Sequence, residues 1–230
     1  MRISKHLLAA AALLAFAVSP AMAYEKGDWI LRAGVGTVAP DSDNLVLPDF
    51  PADGINTTVE VDDGTSLTLM GTYMFTDNWA FDILAAWPFS HDINITVVDT
   101  LPPGSTASLK IAETDHLPPT FSLQYHFLPD AAFQPYVGAG VNWTTFFSTD
   151  VTQEFTDLLG ITSLDLDDSF GLALQLGADW VFDNNWLINI DFRYIDIETD
   201  ATASDGTDSL EIGTVAIDPY VYSINIGYRF

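Results

Sequence analysis

Eight stretches of the chain alternate apolar residues with small or polar ones, position by position. A period of two is the signature of a β-strand whose faces meet different surroundings. The first stretch, Asp28 to Pro40, sets Trp29, Leu31, Ala33 and Val35 against Ile30, Arg32, Gly34 and Gly36. The others are Thr65 to Thr76, Trp79 to Phe89, His116 to Phe127, Tyr136 to Phe146, Ser169 to Phe182, Trp186 to Ile195 and Tyr220 to Phe230. Each is long enough to cross a bilayer as a tilted strand, which takes about 9 to 11 residues.

Alternation alone also fits a water-soluble sandwich with its apolar parity turned inward. Two features favour a membrane. Aromatic residues gather near strand ends, at Trp29, Phe75, Trp79, Phe127, Trp180, Trp186 and Phe230, where interfacial girdles belong. The polar parity is rich in Gly, Ser, Thr and Ala, which suits the filling of a narrow barrel better than a solvated face. A soluble carrier barrel would leave the outward apolar parity as one very large exposed patch. The pattern predicts an all-β fold, an eight-stranded antiparallel up-and-down transmembrane β-barrel.

Connection lengths orient it. Thr76 to Asn78, Leu128 to Gln134 and Asp183 to Asn185 are short and read as periplasmic turns. The segments around 41–64, 90–115, 147–168 and 196–218 are the four long extracellular loops, and both termini are periplasmic. Within the third of these, residues 152–160 suggest a short helix stopped by Gly160. An even strand number closes the sheet, so no backbone edge meets lipid.

Ahead of the strands, Arg2 and Lys5 precede an apolar run from Leu7 to Val18 and a small-x-small site at Ala21-Met22-Ala23. This is the form of a cleaved secretory signal peptide, and the run is too short to span a bilayer as a helix. Residues 1–23 are read as leader and 24–230 as the barrel. The chain has no cysteine, so no disulfide staples it. Its formal charge is −25, with 7 basic and 32 acidic residues, which excludes nucleic acid as a partner.

Several segments resemble the OmpW family of small outer-membrane barrels. They are Thr72-Tyr73-Met74-Phe75-Thr76-Asp77-Asn78-Trp79, His116-Leu117-Pro118-Pro119-Thr120, the run from Pro135 to Phe147, Arg32-Ala33-Gly34 and the closing Gly227-Tyr228-Arg229-Phe230. The resemblance implies passive uptake of small apolar molecules across the outer membrane, with alkane importers among the relatives. The acidic loops depart from the family's pattern.

Three groups of residues could carry such a function. Arg32, Asp82, Gln124, Asp179, Asp191 and Arg193 share the inward parity in the lower half of the barrel, where charges must pair or be hydrated. They form either a plug against water and ions or simple interior packing. Further out, Met70, Met74, Leu84, Ala86, Thr120 and Ala173 are expected to line or floor an apolar cavity, the alternative being a dry core. Pro88, Pro118 and Pro119 lie near the outer end of one hairpin and lack the amide hydrogen of a ladder. They mark a lateral gate between the third and fourth strands, or merely end them.

Other chemistry finds less support. Ser90 with His91 and Ser122 with His126 lack the third, orienting group of a triad, so no enzyme is expected. Acidic runs such as Asp62-Asp63 and Asp167-Asp168 do not follow a calcium-loop spacing, and neither metal nor cofactor is assigned. Expected partners are outer-membrane lipid and lipopolysaccharide, small apolar solutes, and the barrel-assembly machinery through the C-terminal Phe230. The rival function is a non-transporting receptor or structural barrel, of the phage or colicin receptor type.

Overall fold

A computed structural model describes residues 24–41, 56–100, 105–182 and 185–230. Residues 1–23, expected to be a leader, lie outside them. In chain order the elements are β1 (Trp29–Ala39), β2 (Asn56–Val61), β3 (Gly64–Met74), β4 (Trp79–Ala86), β5 (Phe89–Thr100), β6 (Ser105–Leu117), β7 (Thr120–His126) and β8 (Phe133–Val151). There follow α1 (Gln153–Leu159), β9 (Ser163–Leu166), β10 (Ser169–Val181), β11 (Trp186–Ile195), β12 (Glu198–Ser204), β13 (Ser209–Ala216) and β14 (Tyr220–Arg229).

Eight of these strands close on themselves. The order is β1-β3-β4-β7-β8-β10-β11-β14, and β14 pairs back onto β1 from Ile30↔Arg229 to Ala39↔Tyr220. Trp29 and Phe230 exchange backbone hydrogen bonds of 3.4 and 2.8 Å, so the two ends of the chain finish the seam. Every neighbouring pair is antiparallel, and the barrel is the one that the alternation predicts.

The expected loops are only partly loops. β5 and β6 form a hairpin that continues the wall outward, flanked by β2 on one side and the end of β8 on the other. β13, β12 and β9 make a separate three-stranded sheet. Alternating stretches such as Phe89 to Thr96 obey the same period as the barrel strands, so pattern alone does not separate wall from loop. The helix in the third outer segment is present: Thr152 caps it by accepting from Phe155 N, and Gly160 ends it at φ 77°, a left-handed conformation that suits glycine.

Strand ends also shift. The fourth predicted strand splits at Pro118-Pro119, so His116 and Leu117 belong to β6 and the barrel strand begins at Thr120. The third ends at Ala86, with Phe89 in β5, because Pro88 cannot donate to a ladder. The fifth is far longer than Tyr136 to Phe146, since β8 carries on into the outer wall.

Exposure follows parity. Leu67, Leu69, Leu172, Leu174, Ile188, Ile190, Ile224 and Ile226 all face outward and are exposed, forming one apolar belt around the barrel. Water would not tolerate such a patch on a monomer, whereas hydrocarbon requires it. Trp29, Trp79, Trp186 and Phe230 lie at its periplasmic rim, and Trp87, Trp143 and Phe170 at its outer rim.

The inward parity is stacked in levels. At the periplasmic end Tyr24, Ile30, Met74, Ala80, Val181 and Leu187 pack together. Above them lies a polar level. A second apolar cluster follows, built from Val38, Phe89, Ala173, Ile195, Ile197 and Val221. The outer extension holds a third, with Ile93, Ile95, Ile111 and Ala112 at its centre. Glycine permits close approach in the wall: a Cβ on Gly34 would stand 2.0 Å from the Ile224 carbonyl oxygen.

Candidate functional site

The polar level brings together all six residues expected to form a plug. Arg32 extends from β1 and meets Asp179 of β10 through two hydrogen bonds, Nε to Oδ1 at 2.9 Å and Nη2 to Oδ2 at 2.5 Å. Its Nη1 donates to Thr72, whose hydroxyl donates to Asp82 at 2.6 Å. Arg193 of β11 donates to Asp82 at 2.9 Å and to Asp191 at 2.8 Å. Asp191 also accepts from Gln175 at 2.6 Å, and Gln124 donates to that same amide's oxygen at 3.1 Å. Two guanidiniums thus face three carboxylates, all buried in the barrel interior.

Neighbours that pattern reading does not single out complete the network. Tyr136 donates to Asp191 at 2.7 Å, and Asn189 to Asp179 at 2.8 Å. Tyr24 donates to Asp179 at 2.9 Å from below. Tyr136 and Asn189 share the inward parity and level of the charges, which is the signal that finds them. Tyr24 precedes the first strand and carries no periodic signal.

The residues expected to line or floor a cavity are spread over several levels of the barrel. Met74 lies at the opposite, periplasmic end, because β3 runs inward from Gly64 and Met74 is its last residue. Met70 belongs to the polar level, where Arg193 approaches its sulfur at 3.3 Å. Ala173 is part of the upper apolar cluster, with Ala86 packed against it. Leu84 is buried in the barrel, and Thr120 is tied to the Pro118 carbonyl at 3.0 Å. None of the six borders the open space of the outer extension.

That space is a cavity of about 680 Å³ one storey further out. Val38 and Ile197 of the upper apolar cluster give its floor, Ile93, Ile95 and Ile111 one wall, and Leu164, Leu166 and Ala201 another. Phe155 reaches in from α1. The walls are the residues that sequence reading assigned to loops, which is why depth counting along the barrel strands missed them. The size lies within the roughly 300 to 1,000 Å³ of ordinary small-molecule pockets.

Two histidines interrupt this apolar lining. His91 and His116 stack with ring centroids 4.8 Å apart, and Phe89 stacks on His116 at 5.6 Å. They belong to the outer wall, beyond the aromatic rim. Burial lowers the pKa of His91, and burial together with the neighbouring His91 pushes that of His116 down to about 3, so both rings are neutral. His91 Nδ1 lies 2.6 Å from the Asp62 carbonyl oxygen, which can only accept, so that nitrogen carries the proton. Ser90 hydrogen-bonds to Asp115 and not to His91, and His126 meets Gln124 at 3.2 Å. Neither serine is paired with its histidine.

Beneath the histidines the wall is interrupted. The ladder between β4 and β7 ends at Leu84↔Thr120, and that between β5 and β6 starts at Phe89↔His116. Between these pairs stand Ala85 to Pro88 on one side and Leu117 to Pro119 on the other, and no ladder pair joins them. The flanks stay paired outward: Trp87 N donates to Leu67 O at 2.8 Å, and Trp143 N donates to Pro119 O at 3.1 Å. Pro88, Pro118 and Pro119 all fall in the interruption.

Comparison with known proteins agrees with this architecture. The model of the OmpW family matches residues 25–230. Outer membrane protein W of Vibrio cholerae is 42% identical over 223 residues, covering 96% of each chain. The crystal structure of OprG from Pseudomonas aeruginosa superposes with a TM-score of 0.76 at 38% identity, covering 90% of this chain and 98% of that one. The solid-state NMR structure of AlkL in DMPC lipid bilayers gives a TM-score of 0.64 at 25% identity, covering 93% and 95%. A closed eight-stranded wall with an apolar belt, matched over nearly its whole length by outer-membrane proteins of Gram-negative bacteria, places this chain in the OmpW family of outer-membrane β-barrels.

Proposed function

We propose that the protein takes small apolar molecules from the medium into the outer membrane, passing them sideways through the wall. The observation that carries this reading is the stacking of three features. An apolar cavity of about 680 Å³ opens outside, an interruption in the β-ladder lies directly below its histidines, and a paired charge network fills the barrel beneath. A solute that enters the cavity meets buried charges if it continues down the axis, which costs an apolar molecule the polar level's hydrogen bonds. Through the interruption it meets hydrocarbon. Pro88, Pro118 and Pro119 act as the lateral gate, since none offers an amide to close it.

The charged level, on this reading, keeps water and ions from crossing while the solute moves sideways. Lipid and lipopolysaccharide are the partners of the apolar belt and its acidic outer rim, and the terminal aromatic Phe230 is the handle for the assembly machinery.

Reconstituted vesicles test the proposal. Protein-containing vesicles should take up an apolar fluorescent tracer faster than empty ones, while their permeability to potassium stays at the empty-vesicle level. Equal tracer rates with and without protein would favour the receptor reading, and a large potassium leak would remove the plug.

A further inference from the structure

We infer that His116 is the polar contact of the cavity and that the site prefers uncharged hydroxyl-bearing planar molecules to hydrocarbons of the same shape. This deepens the proposed function and rests on it. His116 is buried and borders the cavity, yet neither of its ring nitrogens has a hydrogen-bond partner among the described residues. Its nitrogens reach the open space of the cavity and no described protein atom pairs them, while Nε2 of the adjoining His91 is buried without a partner; a polar group left unpaired in an apolar lining is unfavourable. Its surroundings are rings: Phe89 at 5.6 Å, His91 at 4.8 Å and Phe146 at 5.9 Å. These fix the orientation of the imidazole without satisfying it.

The chemistry of the missing partner follows. A neutral imidazole presents one N–H donor and one bare nitrogen acceptor. A hydroxyl both donates and accepts, so it is matched whichever nitrogen holds the proton. Burial keeps the ring uncharged, so it offers a carboxylate no ion pair, and Glu211 on the same lining repels an anion. The rest of the lining is mostly apolar, which suits an apolar body, and the hydroxyls of its Thr114, Thr199 and Thr214 are already engaged with Thr149, the Asp167 carbonyl and Asp200. Phe89 and His91 cover the two faces of His116, so the ring meets the cavity by its edge, where its nitrogens lie, and a thin, planar guest can bring a hydroxyl up to that edge.

Naphthalene and 2-naphthol differ by one hydroxyl and separate the possibilities. With the mature protein in lipid nanodiscs at neutral pH, and protein-free nanodiscs subtracted, 2-naphthol should bind about five- to tenfold tighter than naphthalene, the worth of one hydrogen bond. His116→Phe, which keeps the ring stack, should erase that preference and leave naphthalene affinity unchanged. His116→Gln should restore part of it. If His116→Phe does not fold, nitrogen spectra of the histidine rings in the unaltered protein decide: 2-naphthol must move a His116 nitrogen and naphthalene must not. Equal binding of the two compounds, a preference that survives His116→Phe, or an unmoved nitrogen would overturn the inference alone. Failure of either compound to bind at all would overturn the cavity reading and the inference with it.

Discussion

Replacing Arg32 by methionine should destabilise the barrel severely, and the reason lies in what remains behind. The guanidinium makes two hydrogen bonds to Asp179 and one to Thr72, with both ionic side chains of the pair fully buried. In the variant Asp179 keeps its neutral donors, Tyr24 at 2.9 Å and Asn189 at 2.8 Å, but loses its cation. The level then holds one guanidinium against three carboxylates in a low-dielectric interior. Breaking a buried pair by removing one partner costs about 3–5 kcal/mol, a large share of a total stability of about 5–15 kcal/mol. Urea unfolding in vesicles, followed by the fluorescence of the six tryptophans, measures it. Asp179→Leu should cost a similar amount, since it takes both direct carboxylate hydrogen bonds from Arg32 and leaves it only Thr72 and Asp82 at 4.0 Å. The double variant should cost less than the two singles together by at least about 2 kcal/mol, because neither charge is then left alone. Single losses below about 1 kcal/mol, or losses that add within about 0.5 kcal/mol, would refute the claim that these charges act as one paired unit.

Two further outcomes follow from the wall itself. The His116 imidazole has its ordinary pKa of 6.5 when the chain is unfolded and one of about 3 in the folded wall, so protonation favours the opened form. Its contribution is whole above about pH 6.5 and declines as pH falls toward 3, with buried His91 acting in the same direction. Hydrogen exchange should therefore show the β5–β6 hairpin losing protection between pH 7 and pH 4 while β10 and β11 keep theirs, and unchanged hairpin protection would contradict this. Gly34→Val should lower the urea midpoint by about 1–3 kcal/mol equivalent or prevent folding, since its Cβ would stand 2.0 Å from the Ile224 oxygen. Gly71→Ala is the control, its Cβ meeting only Leu31 at 3.7 Å, and equal effects of the two would undo the argument.

The barrel was legible because its strands obey one rule repeated eight times. Outward Leu and Ile alternate with inward small or polar residues, and Asp77-Asn78 sits at one of the tight turns. The charged level was legible for the same reason: Arg32, Asp82 and Asp179 share both parity and depth, so closing the barrel is enough to bring them together. The cavity was not. Its walls come from β5, β6, β9 and β12, whose pairing depends on contacts between distant outer segments, such as Ala201↔Leu166 and Ala112↔Val151. No periodicity within one segment specifies such partners. Met74 shows the complementary failure, for its character suits a cavity floor, but the inward run of β3 carries it to the periplasmic end. The prolines announced a break in the ladder, and its position is the one that Pro88 and Pro118-Pro119 mark. Its use as an exit is a matter of function that no spacing encodes.

A cross-link across that break tests the lateral route most directly. Ala86 and Pro118 continue the register of Leu84↔Thr120 into the interruption, and the chain has no cysteine of its own to interfere. Vesicles carrying the Ala86→Cys, Pro118→Cys double variant should take up an apolar tracer at the rate of the unaltered protein when reduced. On oxidation the rate should fall to that of empty vesicles and recover with reductant. Uptake that continues undiminished through the oxidised, cross-linked barrel would show that the solute does not leave by the wall.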